Sequence, residues 1–152
     1  MHQCTFELNG EPLSNFKVGS LSFPAFSGKS PWVNSRAGAC MKDAGPIPPG
    51  EYYIFDRQSG GGLGALYDMA RQRYGWFALH RVDEAIDDEA WCEKIKRGKF
   101  RLHPKGQLGI SEGCIVIEKE NDFTFMSTII RRARPEQVKG SKLLAYGKVT
   151  VK

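Results

Sequence analysis

Between Phe100 and Ile117 the chain is patterned at every second residue, and that period leaves little choice of local structure. In Phe100-Arg101-Leu102-His103-Pro104, the apolar Phe100 and Leu102 alternate with Arg101 and His103. In Cys114-Ile115-Val116-Ile117, Ile115 and Ile117 alternate with Cys114 and Val116. A period of two belongs to strands, whose successive side chains point to opposite faces. The stretch therefore reads as strand, loop, strand. With the apolar sets turned to a core, a histidine, an arginine and a cysteine are left on or near the open face. Pro104 ends the first strand because it has no amide to give to a ladder. Gly106 and Gly109 let the connector turn, and Gly113 lets the backbone pass close to a ligand. A thiol attacks as thiolate, and a neighbouring imidazole generates it by taking the proton. His103 and Cys114 supply both groups, eleven positions apart.

The remaining chain supports a single domain over residues 1–152, mainly β with about three helices. A hydrophobic fraction of 41% is a globular value, and 17 glycines and 8 prolines call for many turns. Asn9-Gly10 marks a hairpin between Cys4–Leu8 and Leu13–Val18. Leu21–Phe26, Glu51–Phe55, Trp76–Arg81 and Tyr146–Val151 read as further strands. Leu63–Tyr74 has helical spacing in Leu63, Leu66, Tyr67 and Ala70. Asp87–Lys96 reads as a short helix, with acids first and lysines last as the macrodipole favours. The strongest helix follows Asn121, its expected cap, and carries Phe123, Met126, Ile129 and Ile130 on one face.

Several function classes drop out. No apolar run approaches the ~20 residues of a membrane helix. The first residues lack a basic segment followed by an apolar one, so no signal peptide is expected. The formal charge of +5 suits polyanions, but the cations are spread and no nucleic-acid motif is present. Gly28-Lys29-Ser30 is not a phosphate loop, since Phe23 holds the place of the required earlier glycine. Cys4, Cys40, Cys92 and Cys114 include no Cys-x-x-Cys pair. With Cys114 as a free thiol, at most one disulfide can form among the rest. No metal or cofactor is expected: a zinc site from His80, His103 and Cys114 would lack paired ligand spacing. His80 alone reads as a structural strand histidine.

His103, followed by Ser111-x-Gly113-Cys114 and an apolar strand, resembles the active-site signature of L,D-transpeptidases. The closer resemblance is to their type VI secretion effector branch. Phe26-Ser27-Gly28 and Gly45-Pro46-Ile47-Pro48-Pro49-Gly50-Glu51-Tyr52 are similar to that branch in the same order. Glu112 stands where the larger family has a histidine, and the spacing from histidine to cysteine is shorter than theirs. The resemblance implies an L,D-transpeptidase-like sheet scaffold with Cys114 as nucleophile and His103 as general base and later acid. It implies amides of Gly113 and Cys114 at the oxyanion, and Ser111 holding the turn or orienting His103. Arg101 shares the His103 face and is a candidate for gripping a substrate carboxylate. The implied substrate is the peptidoglycan stem peptide, whose terminal D-alanine is hydrolysed off or exchanged. The implied partners are a secretion apparatus and a periplasmic immunity protein, with action in the periplasm of a target cell. The other reading is a basic binding module that recognises anionic glycan or a protein partner without turnover.

Overall fold

The computed structural model describes residues 1–57 and 75–152. Its strands are β1 (His2–Phe6), β2 (Ser14–Val18), β3 (Leu21–Ser27), β4 (Gly50–Asp56), β5 (Phe77–Arg81), β6 (Glu89–Cys92), β7 (Ile95–Gly98), β8 (Phe100–Pro104), β9 (Ile115–Ile117), β10 (Glu136–Gln137), β11 (Leu144–Ala145) and β12 (Gly147–Val151). Eight of them close into a barrel in the order β1-β12-β4-β5-β8-β9-β3-β2. Neighbours run antiparallel except at two seams, β1–β12 and β8–β9, which are parallel. Closure leaves no open edge.

Alternation along each strand fills the interior. Phe6, Phe16, Tyr52, Ile54, Phe77, Leu79, Phe100, Leu102, Ile115, Ile117 and Val149 form one apolar cluster, with Cys4 among them. A barrel of eight strands is just narrow enough for side chains to fill it. The one α-helix among the described residues, α1 (Glu120–Arg132), packs against β8 and β9 and sends Phe123, Met126 and Ile130 into this cluster. Its start differs by two residues from the expectation: Lys119, not Asn121, takes the cap position. Arg131 near its end lies over the Phe77 ring at 4.1 Å and donates to the Asp56 carboxylate and the Gly75 carbonyl. The β10–β11 hairpin covers a smaller apolar cluster of Phe55, Ala78, Val138 and Ala145.

The mainly β character stands, but the expectation of about three helices does not, and the sheet is a closed barrel. Leu63–Tyr74 lies outside the described residues. Asp87–Lys96, expected as a helix, forms the β6–β7 hairpin instead. Its acids do the work of a turn rather than a cap. Asp87 accepts the Glu89 amide at 2.8 Å, Asp88 pairs with Arg101, and Glu89 reaches Lys96 across the hairpin at 2.6 Å. Glu93, at φ 57, supplies the reversal. A disulfide joins Cys92 on β6 to Cys40, just past a 3-10 turn at Arg36–Gly38.

Candidate active site

The β8–β9 seam builds the site. Its register sets Leu102 against Ile115, His103 against Val116 and Pro104 against Ile117. Phe100, Leu102, Ile115 and Ile117 are consumed by the interior cluster. Alternation then puts Arg101, His103, Cys114 and Val116 on the outer face. Carried back one step, the register places Cys114 beside Arg101, with His103 as its diagonal neighbour, a relation within reach of long side chains.

Cys114 is a free, half-buried thiol. Burial pushes its pKa up, while a hydrogen bond from the Arg101 backbone and the Arg101 guanidinium both pull it down. At rest the sulfur is therefore a thiol already oriented toward positive groups, rather than a preformed thiolate.

The His103 ring stacks on Trp76 with centroids 4.1 Å apart and planes 15° apart. Arg57 approaches the other partner of that stack, 5.7 Å from the Trp76 centroid. His103 Nδ1 is 2.7 Å from the Pro104 carbonyl oxygen. A carbonyl only accepts, so Nδ1 carries the proton and, in the neutral ring, Nε2 carries the lone pair. That is the tautomer a base needs.

Ser111 is buried and fully engaged in the turn: its hydroxyl donates to the Cys114 carbonyl at 2.7 Å and accepts the Gly113 amide at 3.2 Å. The Gly113 amide is thus directed at Ser111 and is committed within the turn. Gly113 sits at φ +127, and a Cβ there would stand 2.6 Å from Arg97 Nη2 and 2.8 Å from Phe100 Cε1. Only glycine fits.

The bidentate grip expected of Arg101 is filled from within the chain. Nη1 and Nη2 donate to the two Asp88 oxygens at 2.6 Å each, and Nη1 also donates to the Phe100 carbonyl. Asp88 lies 3.6 Å from His80 Nε2, so Cys114, Arg101, Asp88 and His80 form a chain of polar neighbours along the outer wall. Burial lowers the His80 pKa, which favours a neutral ring there. No group of three metal-ligating side chains stands together among the described residues.

Sequence reasoning missed four contributors. Trp76 was counted only as the first residue of a strand, and Asp88 as a capping acid. Ser27 donates to the Gly113 carbonyl at 3.3 Å and accepts the Ile47 amide at 2.8 Å. Arg97, to which sequence reasoning gave no role, is buried and reaches the Glu112 carbonyl at 3.1 Å. The one usable signal was the Phe26-Ser27-Gly28 motif.

A family model described as the Tlde1 domain matches residues 21–141, more than half of the chain. The chain belongs to the Tlde1 domain family. That family comprises type VI secretion effectors, antibacterial toxins with an L,D-transpeptidase-like domain. The match takes in Ser27, Arg97, Arg101, His103 and the Ser111–Cys114 turn, so every residue placed around the thiol lies within the Tlde1 domain. Neither the curated proteins nor the solved structures include a match to the chain.

Proposed function

We propose that this Tlde1 domain is a cysteine L,D-carboxypeptidase, with L,D-transpeptidase exchange as its second outcome, acting on peptidoglycan stem peptides. The observation that carries the reading is the outer face of the β8–β9 seam. There a half-buried thiol and a histidine with a fixed Nδ1 donor are diagonal neighbours.

His103 Nε2 takes the Cys114 proton as the sulfur attacks the carbonyl of the third stem residue. The charge that develops on the carbonyl oxygen meets the Cys114 amide. Arg101, anchored by Asp88, keeps its charge beside the sulfur as the thiolate forms. The His103 imidazolium then returns the proton to the departing D-alanine nitrogen, leaving a thioester on Cys114. Water attacking the thioester gives the trimmed peptide, and an amine gives exchange. A substrate carboxylate gains the Arg101 fork only by displacing Asp88.

Mass analysis of muropeptides after incubation with the purified protein tests this directly. Loss of the terminal alanine is expected. Unchanged stem peptides would remove the enzymatic reading and favour a binding module that recognises anionic glycan or a protein partner. Delivery by a type VI apparatus implies that the toxin meets its substrate in the target-cell periplasm, where a protective immunity protein would have to act. Four strains check that location: the protein kept in the cytosol or exported to the periplasm, each with Cys114 or Ala at that position. Toxicity is expected only for the exported wild type, and equal toxicity of the exported pair would sink the proposal.

A further inference from the structure

The hairpin that reads as a helix in the sequence carries a buried arginine that touches the turn before the thiol. Arg97, on β7, is 6% exposed. Its Nη1 donates to the carbonyls of Ala39 and, at 3.2 Å, Pro46; its Nη2 donates to those of Gly45 at 3.0 Å and Glu112 at 3.1 Å. The guanidinium lies over the Phe100 ring at 5.5 Å. Its hydrogen-bond partners are carbonyl oxygens from two segments far apart in sequence, and Asp43 acts on it only through its charge. Burying a charge without a bonded counter-ion is a costly way to pack a hairpin. What the planar fork secures is the backbone on both sides of the site: the 39–46 loop and the Glu112-Gly113 turn.

Two further links brace this arrangement, one at the turn and one at the loop. Ser27 ties the Gly113 carbonyl to the Ile47 amide. The Cys40–Cys92 disulfide fastens the Arg97 hairpin to the residue after Ala39, whose carbonyl Arg97 holds. Gly113 is closed in from the other side by the same guanidinium, with no room for a Cβ.

We propose that Arg97, braced by the Cys40–Cys92 disulfide, is a positioning residue that fixes the Glu112-Gly113 turn and so presents Cys114 to His103 in one geometry. This rests on the cysteine chemistry proposed above, and the test separates the two. Arg97→Lys keeps a cation but replaces a planar fork with a single nitrogen. In the purified full chain, iodoacetamide alkylation at Cys114 is followed by mass spectrometry across pH, beside the thermal midpoint and stem-peptide turnover. A loosened turn admits water to the thiol, so alkylation at neutral pH speeds up several-fold. Turnover moves the opposite way: kcat falls roughly 10²-fold with KM little changed, the scale of a misplaced reacting group. A residue that only stabilises the fold would lower the midpoint and leave both readouts of the folded protein alone. Cys40→Ser/Cys92→Ser, with Arg97 intact, should give the same opposed shifts at smaller size. Folded Arg97→Lys with the wild-type alkylation profile and turnover overturns the proposal. If that variant does not fold, the disulfide-free variant decides, and a wild-type alkylation profile in it overturns the proposal equally. Alkylation needs no substrate, so a wild-type protein that trims no stem peptide sinks the carboxypeptidase reading alone.

Discussion

The barrel carries two free thiols, one inside its wall and one outside. Cys4, on β1, is buried in the interior cluster; burial alone acts on it and raises its pKa from 9.0 to about 12. Cys114 is raised by burial as well, but the Arg101 backbone and guanidinium oppose the rise. Beside it stands a histidine with a defined proton position. Burial of a sulfur is thus no guide to its chemistry. What separates the two is the set of polar groups the outer face brings to one of them.

The sharpest way to break that comparison is to delete each sulfur in turn. Cys114→Ala should lower stem-peptide turnover by on the order of 10⁴-fold or more, the scale seen when a catalytic nucleophile is removed. Cys4→Ala should leave kcat within about twofold, since the interior takes no part in the proposed chemistry. Steady-state kinetics on purified stem peptides checks both. Comparable losses in the two variants would mean that Cys114 is no more chemical than Cys4.

The partner histidine gives the next largest effect. His103→Ala should slow turnover by roughly 10²-fold or more, the usual contribution of a positioned general base. His80→Ala, whose ring meets Asp88 rather than the thiol, should have a far smaller effect. Because the resting sulfur is protonated, the loss should be greatest at neutral pH and shrink as rising pH ionises Cys114 without help. A pH–rate profile for wild type and both variants reads this directly, and parallel profiles for wild type and His103→Ala would remove the base.

What the chain disclosed in advance follows from the range of the forces involved. The β8 and β9 strands were legible because one apolar face of period two also dictates what lies on the other face. Helix α1 was legible from the spacing of Phe123, Met126 and Ile130. The β6–β7 hairpin was not. Acids first and lysines last suit a helix dipole and a cross-strand pair equally well, and the contacts that decide lie far away, at Arg101 and, 52 residues distant, at Cys40. Barrel closure was hidden for the same reason, since β1 pairs with β12 across nearly the whole chain. Arg97 escaped notice because its bonded partners are backbone carbonyls, which leave no mark in the identity of the residues that own them.

The smallest effect concerns Cys4 and tests whether the barrel interior is as dry as its packing implies. Its proton leaves the unfolded chain near pH 9 but stays on the folded protein until about 12. Between those values the native state binds one more proton, so stability is whole below pH 9 and falls as pH rises, by about 1.4 kcal/mol per unit from this group. Tyr52, raised by burial to about 12, adds a similar loss at its own alkaline end. Comparing Cys4 with Cys4→Ala, both in a Cys114→Ala background, cancels Tyr52 and every other shared group. Near pH 7 the substitution should cost about 1 kcal/mol through the sulfur lost from a packed core. Above pH 9 that advantage should shrink, and about one unit higher the two proteins should unfold at the same urea concentration. Urea midpoints taken at about pH 8, 9 and 10 measure the difference. A gap that stays constant would show the buried thiol shedding its proton as readily in the fold as out of it. The contrast between the two sulfurs would then lie in reach of His103 alone.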